Sequence, residues 1–366
     1  MKKTNQQRKR VLVCPLDWGL GHASRCIPLI NELTRSGIEV VIAADRAPLK
    51  LLKNEFPNNE YLVFPGPEVK YPKRIGMALF MLFKAPKMIK WFKDERLLLE
   101  SFIHTHAIDA VISDNRYGVY STKVPSIFIT HQLFIQAPLG KRALKAFTAS
   151  HAKNFTETWV PDFIGDDNLS GDLSHGNTDI KDVHFINPLS RFSGFAVSES
   201  NHKRDLTIVL SGPEPTRTQF EELIIEQLGS FEGRVLLVRG LSETIHPLEI
   251  SNNIEVRSFL SARELEVEMA NSKHIVCRSG YSSIMDLAAL GKKAILVSTP
   301  GQTEQEYLAK KLKSEGKFYS VSQADFDLKH ALENFDKYAG LKIKKENTPL
   351  INRIKALKEK IENYSR

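Results

Sequence analysis

The sequence predicts an α/β protein made of two Rossmann-like, doubly wound parallel-sheet domains that face each other across a cleft. Two observations predict this fold class. Short runs of β-branched and other apolar residues alternate with segments of helical apolar spacing, a pattern typical of βαβ units. The alternation occurs twice along the 366 residues, with a segment rich in Gly, Ser, Asn and Asp between the two series.

Each predicted strand is one of these apolar runs. In chain order they are VLV (11–13), VVIAA (40–44), AVIS (110–113), SIFIT (126–130), LTIVLS (206–211), RVLLVRG (234–240), HIVC (274–277) and AILVS (294–298). Near the C-terminus, apolar residues recur at helical spacing from Leu350 to Ile361. We therefore expect a final helix from about Leu350 to Tyr364, packed on one of the two domains.

The change in composition between the two series sets the domain boundaries. The segment that begins GDDNLSGDLSHGNTD at Gly165 is typical of a connection rather than of a buried core. We expect an N-terminal domain over residues 1–165, a linker over 166–194, a C-terminal domain over 195–340 and a C-terminal helix within 341–366.

The composition argues against several classes of protein. Three cysteines without a C-x-x-C pair indicate neither a disulfide framework nor a zinc site, and favour a reducing, cytoplasmic location. No uncharged apolar run approaches the ~20 residues of a membrane span, and VLVCPL is too short for a signal-peptide core. The formal charge of +8 suits nucleic acid, anionic lipid or a phosphorylated small molecule as a partner.

The turn after the first predicted strand reads DWGLGHASR. Gly19 and Gly21 permit a tight turn, and the free N–H groups at the start of the next helix attract anions. The third glycine of a G-x-G-x-x-G dinucleotide fingerprint is replaced by Ser24. The loop therefore presents His22 at a helix start, where a lone histidine is more often a cap or a filler than a catalytic group.

Asp114 is the expected partner that would give His22 a chemical role. It ends the run AVISD, and the carboxyl ends of parallel strands share one edge of a sheet. A carboxylate behind an imidazole fixes its tautomer and stabilises its protonated form, which makes the histidine a general base for a hydroxyl. Asp114 as a simple loop acid or helix cap is the alternative.

The turn RSGYSS in the second half is a candidate diphosphate cradle. Arg278, Ser279 and Gly280 precede a predicted helix whose first turn holds Ser282 and Ser283. One turn further on lies Asp286, whose carboxylate suits the two ribose hydroxyls. After the next strand, Glu304 and Gln305 offer polar groups to sugar hydroxyls. The alternative is that the serines cap the helix and Asp286 complements its dipole.

These residues resemble a known family. RSGYSSIMDLAALGKKAILV followed by PGQTEQEYLA is similar to the nucleotide-sugar-binding region of GT-B glycosyltransferases, in the group that includes the lipid-intermediate N-acetylglucosaminyltransferases of peptidoglycan synthesis and the plastid galactolipid synthases. GLGH is similar to the glycine-rich loop and histidine of that group, and the resemblance covers most of the chain.

The resemblance implies roles for individual residues. Asp286 would bind the donor ribose, the Arg278–Gly280 turn would lie beside the diphosphate, and Glu304 with Gln305 would face the donor sugar. The backbone at Phe259 and Leu260 would meet the nucleobase, and Gly212 in LSGPEPTR would belong to a second phosphate-side loop. Two features depart from the family pattern: the ribose-binding acid is often glutamate, and LDWGLGH replaces a run of glycines.

The resemblance implies transfer of a sugar from a nucleoside-diphosphate sugar, most consistent with a UDP-sugar, to an acceptor hydroxyl. His22 would take the proton while the leaving diphosphate is held by the Arg278 turn and a helix N-terminus, without a metal or other cofactor. A sugar-nucleotide epimerase or hydrolase on the same scaffold is the alternative. Nucleic-acid binding is suggested by the charge alone and is not expected, because none of its motifs is present.

Two basic segments of the N-terminal domain predict contact with a membrane. Residues 69–93 hold seven Lys and Arg and no acid, around an apolar run too short to cross a bilayer. A second acid-free basic segment runs from Leu133 to Thr156. We expect a peripheral protein at the inner face of the membrane that docks on anionic lipid and uses a lipid, lipid-linked or otherwise amphiphilic acceptor. An ordinary helix with a solvated lysine face is the alternative.

Overall fold

A computed structural model describes residues 8–66, 77–136, 140–192, 203–241, 250–341 and 347–364, with the backbone alone described for 77–86. The first of its two sheets has seven parallel strands in the order β3-β2-β1-β4-β5-β6-β7. They are β1 (Arg10–Pro15), β2 (Glu39–Ala44), β3 (Glu60–Val63), β4 (Ala110–Asp114), β5 (Ser126–Ile129), β6 (Glu157–Val160) and β7 (Val183–Phe185).

The second sheet has six parallel strands in the order β10-β9-β8-β11-β12-β13. They are β8 (Arg204–Val209), β9 (Val235–Val238), β10 (Ile254–Arg257), β11 (Ser272–Arg278), β12 (Ile295–Ser298) and β13 (Tyr319–Ser322). Both strand orders reverse direction once, between β1 and β4 and between β8 and β11. Ligands bind beyond the carboxyl ends of the strands at such reversal points.

Helices cover both faces of each sheet. They are α1 (Leu20–Arg35), α2 (Arg46–Glu55), α3 (Met77–Thr105), α4 (Lys141–Ala152), α5 (Thr216–Leu228), α6 (Ala262–Ala270), α7 (Tyr281–Leu290), α8 (Thr303–Ser314), α9 (Leu328–Asn334) and α10 (Thr348–Tyr364). Alternate residues of a strand point to opposite faces, so Val11 and Val13 of β1 enter one apolar layer while Leu12 enters another. The predicted α/β fold of two parallel-sheet domains is confirmed.

The predicted linker is too long. Strand β7, inside the segment 166–194, pairs with β6 and completes the first sheet. The segment before it also belongs to the N-terminal domain, because both carboxylate oxygens of buried Asp162 accept hydrogen bonds from the backbone at Leu169 and Ser170. Its Gly- and Asn-rich composition therefore reflects tight turns packed on the sheet, and the N-terminal domain extends at least to the end of β7 at Phe185.

The final helix, expected from about Leu350, is present as α10 and packs on the N-terminal domain. Its apolar stripe is buried in the same core cluster as β1 and α1: Leu350, Ile354, Leu357 and Ile361. Arg353 lies 2.9 Å from His184 of β7, and Lys358 donates to the carbonyl oxygen of Ser36 at 2.9 Å. The chain therefore returns to its first domain after completing the second.

Candidate functional site

The reversal points of the two sheets face each other across the interdomain cleft. Ser282, in the first turn of α7, donates from its Oγ to the carbonyl oxygen of Gly21 in α1 at 2.9 Å. Tyr281 donates from its hydroxyl to the carbonyl oxygen of Pro161 at 2.8 Å. A Cβ added at Gly21 would lie 3.1 Å from Ser282 Oγ, so a glycine is what allows the two helices to approach this closely.

On the N-terminal side, the loop from β1 to α1 holds the histidine. Gly19 precedes the helix with a φ of 91°, a conformation that favours glycine. His22 therefore sits in the first turn of α1, as expected. It does not cap the helix, since α1 has no side-chain cap.

The structure brings His22 and Asp114 together. Asp114 ends β4 and lies in register with Pro15 at the end of β1, and its carbonyl oxygen accepts a hydrogen bond from the N–H of Leu16 at 3.0 Å. The β1–α1 loop therefore starts beside Asp114, and His22 Nδ1 lies 3.2 Å from Asp114 Oδ1. The structure therefore contains the predicted dyad, as a contact between the first turn of α1 and the end of β4.

The surroundings of the dyad set its charges. Burial would raise the pKa of Asp114, but Arg25 and His22 outweigh burial and hold it well below its usual range. Burial lowers the pKa of His22, and the charge of Arg25 lowers it further. At neutral pH the pair is thus a carboxylate beside a neutral imidazole, which is the state that a general base needs.

Arg25 was missed by the sequence reasoning and lies at the centre of this site. Its side chain is buried and binds both carboxylate oxygens of Asp114, through Nε at 2.6 Å and through one terminal nitrogen. The other terminal nitrogen lies 2.7 Å from His131 Nδ1. The position of Arg25, one turn after His22 on α1, is the signal that could have found it.

His131 carries these contacts across the cleft. It follows β5, and its Nε2 lies 3.0 Å from Oε1 of Glu304 in the first turn of α8. Its ring stacks on Tyr281 with centroids 4.3 Å apart. Gln132 also donates to Glu304. Burial would raise the pKa of Glu304, but His131 and the nearby cations outweigh it, so this carboxylate is charged.

On the C-terminal side, the turn before α7 leaves the start of that helix open. Gly280 occupies the N-cap position, and no side chain caps the helix. Ser279 donates to the carbonyl oxygen of Gln305 at 2.9 Å, and Ser282 is bonded to Gly21. The alternative that these serines cap α7 is therefore wrong. Ser283, next in the first turn, is partly exposed.

The structure buries the guanidinium of Arg278 away from the cleft surface, and its predicted role beside the diphosphate stays a prediction. The side chain is 1% exposed and lies over the ring of Phe220, on the face of the second sheet covered by α5. Its guanidinium binds Gln323 Oε1 at 2.7 Å and the carbonyl oxygen of Thr216 at 3.1 Å. Strand alternation explains this position, because Cys277 and Arg278 point to opposite faces of β11. Burial lowers the pKa of Arg278 to about 10.

Asp286 lies in α7 and is bonded to the end of the N-terminal domain. Ser190 Oγ donates to its Oδ1 at 2.8 Å, and Arg191 Nε lies 2.9 Å from its Oδ2. Burial raises the pKa of this carboxyl, although Arg191 opposes the rise. Arg191 and Ser190 are therefore further members of the site that the sequence reasoning missed. The ribose-binding role of Asp286 stays a prediction.

Gln305 supports the turns around it. Its Oε1 accepts from the N–H of Thr299 at 2.9 Å, and its side-chain nitrogen donates to Gln302. Gly212 has a φ of 109°, and a Cβ there would lie 3.6 Å from Thr299 Oγ1, which has no hydrogen-bond partner among the described residues. The β8 and β12 loops are therefore close neighbours at the carboxyl edge of the second sheet.

The expected nucleobase residues line a cavity at the start of α6. Phe259 and Leu260 lie on its wall, and its volume is about 350 Å³. Arg257 and Arg263 contribute charge to the same wall.

Within the part of the chain that the structure describes, no three metal-ligating side chains are grouped together, and no helix is both long and apolar enough to span a bilayer.

Comparison with known proteins relates the second half of the chain to one family. Residues 221–362 match the glycosyltransferase family 28 C-terminal domain. One curated relative is 41% identical over 66 residues: the UDP-N-acetylglucosamine--N-acetylmuramyl-(pentapeptide) pyrophosphoryl-undecaprenol N-acetylglucosamine transferase of Methylobacterium radiotolerans. The match spans 18% of this chain and 18% of that protein.

Solved structures resemble the chain over nearly its whole length. The kitacinnamycin glycotransferase covers 98% of this chain and 96% of its own, with a TM-score of 0.60 at 15% identity. The match to the glycosyltransferase SnogD from Streptomyces nogalater covers 98% of this chain and 96% of that one, with a TM-score of 0.59 at 13% identity. The match to MurG of Acinetobacter baumannii covers 95% of this chain and 99% of that one, with a TM-score of 0.55 at 12% identity. The likeness confirms the two-domain GT-B fold, and the family 28 match and the curated relative bear out the resemblance that the sequence indicated.

Proposed function

We propose that this protein transfers a sugar from a nucleoside-diphosphate sugar to an acceptor hydroxyl. The observation that carries the proposal is the 2.9 Å contact between Ser282 and Gly21, which brings the open start of α7 next to His22 and its partner Asp114. A group that takes a proton and a site that attracts an anion thus lie on opposite walls of one cleft. The family 28 match of residues 221–362 supports the donor side.

His22 acts as the general base in this scheme. When its Nδ1 donates to Asp114, Nε2 is left with a lone pair that accepts the proton of the acceptor hydroxyl. The low pKa of Asp114 keeps the carboxylate charged as the imidazole gains that proton. The acceptor oxygen then bonds to the anomeric carbon while the bond from that carbon to the diphosphate breaks.

The leaving diphosphate is stabilised by α7 and by Arg191. The uncapped N–H groups of α7 carry partial positive charge, and a helix start of this kind binds phosphate. Arg191 is 17% exposed and is held beside α7 by Asp286, 2.9 Å away. We assign to it the role beside the diphosphate that the resemblance implied for Arg278. Because these groups offset the charge of the leaving group, the scheme runs without a metal.

Uridine diphosphate is the nucleotide that we propose for the donor, because the curated relative is named for a UDP-sugar. A thermal-shift panel of UDP-, GDP- and dTDP-sugars tests this choice. A ligand at 100 times its dissociation constant stabilises a protein by about 2.7 kcal/mol, so the matching donor is expected to raise the Tm measurably. A larger rise with a GDP- or dTDP-sugar would contradict the choice.

We further propose a lipid-linked or otherwise amphiphilic acceptor, taken up by the N-terminal domain at the cytoplasmic face of a membrane. The relative is named for an undecaprenol-linked acceptor. Helices α3 and α4 pack against each other through Phe92 and His151, whose ring centroids are 5.5 Å apart. The described parts of the two basic segments therefore lie on neighbouring helices, and we take their exposed side as the docking surface.

This surface combines charge with exposed apolar groups. Its exposed cations are Lys87, Lys90, Lys93, Lys141, Arg142 and Lys153. Ile89 is 55% exposed while Phe92, on the same helix, is buried, which leaves an exposed apolar side chain among the lysines. Lysines near an anionic surface contribute about 1 kcal/mol each. Residues 67–76 and the side chains of 77–86, among them Lys84, lie outside the described part of the basic segment.

Vesicle sedimentation tests the membrane proposal. We expect binding to anionic vesicles and not to neutral ones, with binding weakened when Lys87 and Lys90 are changed to glutamate. Replacing Lys329 and Lys337 of the C-terminal domain by glutamate changes the net charge equally and is expected to leave binding unaltered. Equal recovery in the supernatant with both vesicle types would point to a soluble acceptor.

The same scaffold also suits a sugar-nucleotide hydrolase or epimerase, because a fold does not fix a reaction. Release of nucleoside diphosphate from the donor, measured with and without an alcohol acceptor, separates these functions. A transferase releases the nucleotide much faster when the acceptor is present. A hydrolase releases it at the same rate in both cases, and an epimerase converts the sugar without net release.

A further inference from the structure

Arg25 competes with Asp114 for the same nitrogen of His22. One terminal nitrogen of Arg25 lies 2.8 Å from His22 Nδ1, whereas Asp114 Oδ1 lies 3.2 Å from it. A guanidinium only donates hydrogen bonds, and a carboxylate only accepts them. Nδ1 cannot satisfy both neighbours, because it accepts only when it carries no proton and donates only when it carries one.

The second terminal nitrogen of Arg25 determines the tautomer of His131, because it too can only donate a hydrogen bond. Its remaining terminal nitrogen donates to His131 Nδ1 at 2.7 Å, so the proton of His131 lies on Nε2, which donates to Glu304 at 3.0 Å. In the closed cleft the buried guanidinium is bound by Asp114 on one side and by His131 on the other. Arg25 is therefore held where it meets His22.

The distances decide the tautomer of His22. The contact with Arg25 is shorter by 0.4 Å, and Arg25 already satisfies both oxygens of Asp114. Nδ1 of His22 is then an acceptor, and the ring proton lies on Nε2. A histidine in this tautomer has no lone pair on Nε2, the nitrogen that the proposed reaction requires as a base.

We propose that Arg25 is a positioning residue that withholds the base: in the closed cleft without acceptor it holds His22 in the Nε2–H tautomer, and His22 becomes competent only when Arg25 releases Nδ1 to Asp114. This inference rests on the proposed function for its purpose, which is to prevent a bound donor from losing its sugar to water. Release moves one proton from Nε2 to Nδ1 through solvent, and the net charge of the ring does not change.

The electrostatic surroundings of His22 agree with this arrangement. The charged and titratable groups that act on it are Arg25 from α1, Asp114 from β4, His131 after β5 and Glu304 from α8. Burial and the Arg25 charge lower the pKa of His22, while Asp114 raises it. Removing Arg25 leaves Asp114 to act alone, so the imidazole should then hold a proton more tightly.

Nitrogen NMR of labelled histidine tests the proposal in the full-length protein without donor or acceptor. Nitrogen-15 shifts distinguish the two tautomers of a neutral ring, and the spectrum of a His22→Gln variant assigns the signal. In the unmodified protein we expect His22 to carry its proton on Nε2. A proton on Nδ1 would overturn the proposal. This measurement needs no variant of Arg25 that might fail to fold.

Two substitutions of Arg25 extend the test. In Arg25→Gln we expect the proton to move to Nδ1 and the titration midpoint of His22 to rise by ~1 pH unit or more. Arg25→Lys keeps a charge beside buried Asp114, which protects the fold, and should also raise the fraction of His22 protonated on Nδ1 because lysine lacks the forked geometry.

Arg35→Gln is the matched control, since Arg35 lies on the same helix and is 72% exposed. Its effect on the His22 signal is expected to be nil. An unchanged tautomer and midpoint in both folded Arg25 variants would refute the role of Arg25. Because no sugar is transferred in these measurements, failure of the proposed function would be seen separately, in the nucleotide-release assay.

Discussion

The two walls of the cleft are built from different kinds of groups. The N-terminal wall joins the side chains of Asp114, Arg25, His22 and His131 in one network of hydrogen bonds. Within this network, each side chain influences where the histidines carry their protons. The C-terminal wall offers hydroxyl groups and the uncapped start of α7, and it turns the guanidinium of Arg278 into the core behind the sheet.

In the proposed reaction, the N-terminal wall therefore handles proton transfer and the C-terminal wall binds the anionic donor. A buried network of charges tunes proton affinity, because each charge acts on its neighbours through a medium of low dielectric constant. Backbone N–H groups and a helix dipole hold an anion without a titratable group, so they keep their strength over a wide range of pH. The N-terminal wall should therefore govern the pH dependence of turnover, and the C-terminal wall should govern donor affinity.

Removing the base is expected to have the largest effect. His22→Ala should lower kcat by ~10²–10⁴-fold with little change in donor affinity, because proton transfer is lost while α7 is untouched. Steady-state kinetics together with calorimetry of donor binding measure both quantities. His104→Ala, on the exposed side of α3, is the control and should turn over normally. Normal turnover of His22→Ala would leave the dyad without a catalytic role.

Removing Asp286 should act on binding instead. Asp286→Ala is expected to weaken donor binding by ~1–3 kcal/mol, since it loses charge-assisted hydrogen bonds and frees Arg191. Calorimetry with the donor measures this change. Asp336→Asn, a substitution at a 91% exposed carboxylate of the same domain, is the control. A variant that unfolds at lower temperature but binds donor unchanged would make Asp286 a purely structural contact with Ser190 and Arg191.

A smaller effect is expected at the point where the two walls touch. In Gly21→Ala the new Cβ would lie 3.1 Å from Ser282 Oγ, so the walls must separate by a few tenths of an ångström. We expect kcat/KM to fall ~10-fold, because reacting groups tolerate little displacement. Adding Ser282→Ala should restore part of the loss by making room. Gly229→Ala, where a Cβ has its nearest neighbour at 3.5 Å, is the control.

The smallest effect concerns stability on the N-terminal wall. Burial raises the pKa of Asp17, in the loop before His22, to about 6 from an ordinary 3.8. The folded protein therefore binds a proton that the unfolded chain releases between these values, so its stability falls as pH rises through that window. Asp17→Asn should remove this loss, and the Tm of the variant relative to the parent should increase from pH 4 to pH 7. A constant difference would contradict the assignment.

The sequence was sufficient for the central strands and for the dyad. β1, β2, β4, β5, β8, β9, β11 and β12 are continuous apolar runs because helices bury both of their faces. His22 and Asp114 could be paired because the carboxyl ends of parallel strands share an edge, which requires no knowledge of side-chain positions.

The remaining features depend on tertiary contacts that a linear pattern does not contain. Strands β3, β7, β10 and β13 are at the edges of their sheets, where half-exposed residues break the apolar run, and β6 lies beside an edge. The burial of Arg278 depends on which face of β11 its position occupies. Arg25, His131 and Arg191 act through partners more than 80 positions away.

Helix α10 has a consequence for how the protein is made. It packs on the N-terminal domain but is translated after both domains, so the domain translated first is completed only after the second. Until then, the surface that Leu350, Ile354, Leu357 and Ile361 will cover stays exposed on the nascent chain. A premature stop before residue 348 would thus damage the domain that is translated first.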